Sequence, residues 1–360
     1  MVNLVRLLPK LEKTTMKKIN TLIIGAGIGG LAAGSYLKQN GIEDFLIIEK
    51  QSSVPNNLSN GLHYLHDVDF NLPFKMDFKK CILTESIWDT RANTFKDKAT
   101  LPEAFEYSKK VMDNLRHPSS ILDPGKRDCV WIPESNDMNE LINKYEEYIG
   151  KEKFLLSSNV QRIDFKKKIL EFGSSGENHA FEYENIISTA PAPLMEKLVG
   201  STSYTEYKQK SLYITNYRTT NIVPNWMIVL YMSDPKFPPY RISCFNHIIS
   251  LESMNEITHD EEIIIKYIIR DMFDYELESK SSYVWETGRI FGVNKHKRKE
   301  IVDALTSHSI FPIGRFGLWN GKLRMDDTIE QAQRVVGTLV MGESGKGRFS
   351  RSSIIESLYE

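Results

Sequence analysis

The stretch from Asn20 to Lys50 constrains this chain more than any other. Thr21-Leu22-Ile23-Ile24 is an apolar run too short for a helix and suited to a buried strand. Gly25-Ala26-Gly27-Ile28-Gly29-Gly30 follows at once, Leu31 to Gln39 reads as helix, and Asn40-Gly41 suits a left-handed cap. Phe45-Leu46-Ile47-Ile48 is a second buried strand, running into Glu49 and Lys50. Strand, glycine turn, helix, strand, acid is the order that cradles a dinucleotide. Gly25 permits the tight turn, Gly27 lets a pyrophosphate approach the backbone, and Gly30 lets the helix pack close to the strand. The helix N-terminus presents unpaired N–H groups and a positive dipole end to phosphates. Glu49 falls about 20 residues after the motif, where a carboxylate accepts hydrogen bonds from ribose hydroxyls. The alternative is a glycine-rich turn in some other α/β protein.

The chain of 360 residues has room for two or three domains, and its formal net charge of −1 gives no global field favouring nucleic acid or anionic lipid. No apolar run reaches the length of a membrane span. Cys81, Cys129 and Cys244 are far apart and form no CxxC pair, which suits a reducing, cytoplasmic setting. Met1 to Thr15 lacks the apolar core of a signal peptide, and Met16-Lys17-Lys18-Ile19 reads as a start placed directly before the first strand.

Downstream, Gly61-Leu62-His63-Tyr64-Leu65-His66 sets two histidines three residues apart, without the further ligands a metal site needs. Helices are expected over Glu103 to Arg116 and Met138 to Ile149. Phe154-Leu155-Leu156, Val160 to Phe165 and Lys168 to Phe172 alternate as strands do, and Asn185 to Ala190 is a buried strand stopped by Pro191. Tyr204 to Asn221, Trp226 to Met232 and Tyr240 to Ser243 are expected strands of a second sheet. Glu261 to Tyr275 is an amphipathic helix whose core stripe is expected to be Ile264, Ile265, Ile268 and Met272. Lys295 to Lys299 reads as a solvated basic cluster. Phe311 to Trp319 is expected to return to the first sheet as a strand ending in a glycine turn, with Asp326-Asp327 capping a helix from Thr328 to Val336. Gly342 to Gly347 lacks P-loop spacing and reads as a tail.

These residues together resemble the flavoprotein superfamily of amine oxidases, protoporphyrinogen oxidases and UDP-galactopyranose mutases. Gly61 to His66 is similar to the mutase element beside the flavin ring, and Tyr240-Arg241-Ile242 resembles the mutase strand whose arginine holds substrate phosphate. Gly314-Arg315-Phe316-Gly317 with Met325-Asp326-Asp327 resembles the closing flavin motif. Trp131-Ile132-Pro133 and Ile187 to Pro191 resemble the entries to the substrate helix and the crossover. Three departures stand out. Val54-Pro55-Asn56-Asn57 replaces a double glycine, Arg127-Asp128 is one residue out of step with a second phosphate-binding arginine, and Ile290 to Val293 replaces a Tyr-Pro.

The resemblance implies an α/β fold, with a discontinuous Rossmann-type FAD-binding domain (16–90, 150–200 and 300–345) and an inserted sheet-plus-helix substrate domain (91–149 and 201–299). Residues 1–15 and 346–360 are left as terminal extensions. It implies FAD contacts at Gly25, Gly27, Gly29, Gly30, Glu49, Lys50, His63, Val160, Ala190, Gly314, Arg315, Asp327 and Thr328. His63 and Arg241 are the candidate catalytic residues, and no metal is expected. Three activities fit: hydride transfer from a C–H next to nitrogen to flavin N5, mutase-like chemistry on a sugar nucleotide, or non-catalytic FAD binding. An arginine facing the ring implies a small-molecule substrate bearing an anionic group under either enzyme reading.

Overall fold

The structure, a computed structural model, describes residues 16–56, 58, 60–61, 63–89, 94–112, 129–198, 207–274, 276–291 and 295–343. Leu62, Arg127 and Asp128, residues 1–15 and the tail from residue 344 lie outside the described residues.

The opening stretch folds as its pattern dictates. β1 (Lys17–Ile24) leads into α1 (Ile28–Gln39) and then β2 (Phe45–Ile48), which pairs parallel with β1 from Thr21↔Phe45 to Ile24↔Ile48. β6 (Phe154–Leu155) extends the parallel sheet beyond β2. On the other side β9 (Glu177–Ser188) pairs with β1, and β13 (Ile310–Pro312) pairs with β9. β7 (Ser158–Asp164) and β8 (Ile169–Ser174) form an antiparallel meander that runs into β9. Alternation then divides the core. Ile23 and Ile47 point towards α1, α3 (Asn139–Ile149) and α8 (Met325–Glu343). Leu22, Ile24 and Ile48 point the other way, to the meander, α4 (Ala192–Leu198) and α6 (Lys295–Thr306). Cover on both faces is why these strands are apolar throughout rather than alternating.

The second sheet is built on β10 (Lys208–Met232). β11 (Pro239–Ser253) and β12 (Leu277–Phe291) flank it antiparallel, and β3 (Phe78–Asp89) runs parallel to its end. β4 (Thr94–Lys96) and β5 (Cys129–Pro133) complete the sheet on β3. α2 (Leu101–Met112) brings Tyr107 and Val111 against Tyr240, Leu212 and Ile214. α5 (His259–Phe273) packs Ile265 and Ile269 onto Tyr217, Ile249 and Leu251.

Several expectations change. Two strands expected on either side of residue 224 are the one long β10, because β11 continues alongside both halves. Residues 78–89 join the second sheet, whereas α3 and α6 pack into the first core. Phe311 to Trp319 is a three-residue strand followed by the helical turn α7 (Gly314–Gly317). α8 starts at Met325 rather than Thr328, with Asp326 and Asp327 inside its first turn. The buried stripe of α5 runs through Ile265, Ile268 and Ile269, while Ile264 is exposed. Thr258 fixes where that helix begins by a capping box with Glu261.

Candidate active site

The turn after β1 is a phosphate-sized cradle. Gly25 has φ 95° and its N–H donates to the Ile48 carbonyl at 2.9 Å. A Cβ at Gly30 would collide with the Gly25 carbonyl, so only glycine allows α1 to sit this close to β1. The space around Gly27 differs: a Cβ there would meet nothing within 4 Å. Gly27 is the N-cap of α1 in extended backbone, and no side chain caps the helix. The N-terminus of α1 therefore opens onto free space at Gly27 with no side chain capping it, which fits a pyrophosphate.

Glu49 is buried and already committed. Its Oε2 accepts from the Ala26 N–H at 2.8 Å and its Oε1 from the Gln51 N–H at 2.9 Å, tying the glycine turn to the end of β2. The carboxylate keeps lone pairs for ribose hydroxyls while holding the cradle in shape. Lys50 is exposed beside it. Val160 and Ala190 lie buried in the core beneath the sheet. Thr189, passed over in the sequence, donates its hydroxyl to the Ile24 carbonyl at 2.9 Å and abuts the Gly25 and Gly29 positions.

The first turn of α8 joins this cradle to a cavity. Thr328 Oγ1 donates to the Arg324 carbonyl at 2.8 Å, and its methyl packs where a Cβ on Gly29 or Gly314 would sit. Asp327 Oδ2 accepts from the Arg324 N–H at 2.8 Å. Gly314, at φ 75°, donates its N–H to Gln331 Oε1 at 2.9 Å. One turn before Thr328, Arg324 and Met325 line a cavity of about 200 Å³ against the second sheet. His63, Tyr64 and His66 form another wall, and Leu212, Ile214, Tyr240, Arg241, Glu252, Trp285, Gly288, Arg289 and Arg315 complete it.

The charge of this cavity is lopsided: four guanidinium groups face one carboxylate. Arg241 is ion-paired with Glu252, and Tyr240 donates its hydroxyl to the same carboxylate. Arg289 stacks its guanidinium over the Tyr240 ring at 4.8 Å, and its buried Nε has no hydrogen-bond partner. Arg315 Nε donates to the Leu323 carbonyl at 3.0 Å, leaving the rest of its fork for the cavity. His63 stacks on Trp285 with ring centroids 5.6 Å apart, and its Nε2 lies 3.3 Å from the Asn60 carbonyl. Burial first, and then the positive charges of Arg241 and Arg315, push its pKa down to about 4. His63 is thus neutral near pH 7, with Nε2–H towards Asn60 and Nδ1 left as an acceptor. His63 and Arg241, expected as a pair, do share one cavity. No cluster of three or more His, Cys, Asp or Glu suited to a metal occurs among the described residues.

Arg289, Arg324, Glu252 and Trp285 had no motif to mark them. The nearest signal was Gly288 before Arg289, at a break in the β10–β12 register between Lys210 and Leu212. A second unmarked element is Lys110 of α2. Its ammonium donates to the carbonyl oxygens of Asp234 at 2.9 Å and Pro239 at 2.7 Å, and also reaches those of Met232 and Phe237. It thereby pins the β10–β11 turn directly ahead of Tyr240 and Arg241.

Residues 23–76 match a model described as NAD(P)-binding Rossmann-like domain. In solved structures the whole architecture recurs. A reduced UDP-galactopyranose mutase superposes with TM-score 0.67 at 14% identity, over 95% of this chain and 99% of that one. At that identity the likeness is one of fold: two sheets, the first carrying the Rossmann-like unit. A protein assigned as protoporphyrinogen oxidase from Exiguobacterium sp. 255-15 superposes with TM-score 0.58 at 9% identity, over 91% of this chain and all of that one. A Baeyer-Villiger monooxygenase 4 from Dietzia sp. (strain D5) is 42% identical over 41 residues, which is 11% of this chain and 7% of that relative's length. The likeness to that monooxygenase is therefore confined to one short stretch. No helix among the described residues is long and apolar enough to cross a membrane.

Proposed function

We propose that this chain is an FAD-dependent oxidoreductase acting on a small substrate that carries an anionic group, with hydride removed from a substrate C–H next to nitrogen. The observation that carries the anionic part is the cavity wall, where Arg241, Arg289, Arg315 and Arg324 face a single carboxylate, Glu252. Gly25, Gly27, Gly29 and Gly30 would hold the pyrophosphate, Glu49 the adenosine ribose, and Gly314, Arg315 and Thr328 the stretch towards the cavity. Bound FAD would supply the hydride acceptor. The protein's part is to orient and to desolvate. Arg289 and Arg324 would fix the anion of the substrate by charge-assisted hydrogen bonds. Trp285, Leu212 and Ile214 would exclude water, and neutral His63 would accept a hydrogen bond at Nδ1 rather than repel a cation. Amine substrates enter such a site only with their charge balanced by a carboxylate or phosphate.

A second reading is favoured by Arg289. A mutase-like reaction on a sugar nucleotide needs two guanidinium groups for a diphosphate, and Arg289 lines the same cavity as Arg241. The three free cysteines accord with a cytoplasmic setting. The test begins with the absorption spectrum of the purified full chain. It continues with anaerobic stopped-flow bleaching by matched amines with and without a carboxylate or phosphate, and with UDP-galactose isomerisation on the reduced protein. Bleaching by the anionic amines supports the first reading. Isomerisation without net oxidation supports the second. A protein that takes up no FAD ends both.

A further inference from the structure

The middle of α5 carries apolar side chains on part of its solvent face as well as on its sheet face. Ile265, Ile268 and Ile269 are accounted for by the second sheet. Ile263 and Ile264 are 56% and 57% exposed, and Tyr267, one turn on, is 72% exposed. Isoleucine is an indifferent helix former, so helix propensity does not explain two of them on a solvent face. The sheet beneath adds a further exposed apolar side chain. Lys280 of β12 reaches Glu262 of α5, and Val284, four residues along the same strand face, is 55% exposed.

We propose that this face of α5 is a two-fold interface between two copies of the chain, with the two helices antiparallel. The charge pattern selects a second copy over other occupants. A two-fold axis beside Ile265 sets Ile263 of each copy opposite Tyr267 of the other. The same register sets Asp260 opposite Arg270 twice over, an exposed arginine that also holds Glu276 of its own chain at 2.9 Å. A two-fold interface requires this self-complementarity. A membrane surface does not fit, since such helices carry lysine and arginine on the polar face. Here Asp260, Glu261 and Glu262 crowd the first turn, and Lys266 is already tied to Glu262. α5 is 15 residues long, so the helix pair and the strand beside it form an interface at the small end of specific ones. A reversible dimer follows, with dissociation in the micromolar range.

The test is sedimentation velocity on the full chain across about 1–200 μM, which spans the affinities expected of a small interface. Wild type should pass from monomer to dimer in that range. Ile263→Glu should weaken association at least about tenfold, as loss of a buried anchor does. Asp260→Lys and Arg270→Glu each place like charges together twice, and each should weaken it at least about tenfold. Mixing those two variants in equal amounts restores both opposite-charge pairs in the mixed dimer, and association should return towards wild type. That recovery separates the interface from mere loss of folding. A wild-type chain that stays monomeric throughout overturns the proposal. So does a dimer indifferent to Ile263→Glu, or a mixture that associates no better than either variant alone.

Discussion

Arg241 and Glu252 are 11 residues apart on one strand and are nonetheless ion-paired. Extended strand of that length would separate them by about 36 Å. β11 must therefore fold back on itself. The corner lies where the β10–β11 register shifts on either side of Val223 and Asn246 takes φ 51°. The cavity occupies the inside of that corner, with Glu252 from one arm and Tyr240 and Arg241 from the other. Glu252 thereby neutralises one arginine and leaves three to hold an anion.

Glu252→Gln should act in two opposite directions. Removing one partner of a buried ion pair costs about 3–5 kcal/mol of stability, because Arg241 stays behind uncompensated. The same freed guanidinium should raise affinity for pyrophosphate about tenfold or more. Denaturant unfolding and calorimetric titration read the two effects. An unchanged midpoint would place Glu252 outside the network.

Arg289→Met should abolish most anion binding while leaving flavin content normal. The buried Nε of Arg289 has no protein partner, but its guanidinium also hydrogen-bonds the Tyr240 hydroxyl, so stability should fall by about 1–2 kcal/mol. Arg289→Lys keeps the charge without the fork and should recover affinity only in part. Equal anion affinity in wild type and Arg289→Met would remove the residue from the site.

The glycine turn gives a contrast between neighbours. Gly27→Ala meets open space in the protein, so its melting temperature without cofactor should stay near wild type, while FAD affinity falls at least tenfold, about 1.4 kcal/mol. Gly30→Ala collides with the Gly25 carbonyl and should fail at the level of folding. Tight FAD binding by Gly27→Ala would contradict the cradle.

Glu49→Gln should cost FAD affinity by roughly ten- to a hundredfold, or about 1.5–3 kcal/mol for charge-assisted hydrogen bonds. It should also loosen the turn even without cofactor, since its two oxygens accept from Ala26 and Gln51 and glutamine offers only one acceptor. Hydrogen exchange at Ala26 and Gln51 in the apoprotein checks the second effect. Unchanged exchange and unchanged affinity together would separate Glu49 from the cofactor.

His63 should make the protein acid-sensitive. Above pH 6.5 it is neutral in folded and unfolded chains alike and contributes no pH dependence. As pH falls from 6.5, the unfolded chain takes up a proton that the folded site refuses until about pH 4. Stability is lost across that window, reaching about 3 kcal/mol. His63→Asn should flatten this part of the stability profile. An identical profile in wild type and variant would mean that the imidazole is not held neutral.

The first Rossmann unit was legible in the sequence because its determinants are local. Strand, turn, helix and acid lie within one 30-residue stretch, and Gly25, Gly30 and Glu49 each answer to a neighbour inside it. The Gly314-Arg315 stretch, expected as the glycine turn ending a strand, is instead the helical turn α7, tied to Gln331 of α8. The cavity was not legible, because its walls come from chain segments hundreds of residues apart. Arg289 gains its meaning only from a break in the β12 register, Arg324 from the first turn of α8, and Glu252 from a strand that bends back on itself. The face of α5 was misjudged by one residue, since periodicity places a stripe of isoleucines but not which of two adjacent stripes the sheet covers. Local sequence determined the dinucleotide cradle. Long-range strand register decided which charges face one another across the cavity, because a shift of register re-aims every side chain beyond it.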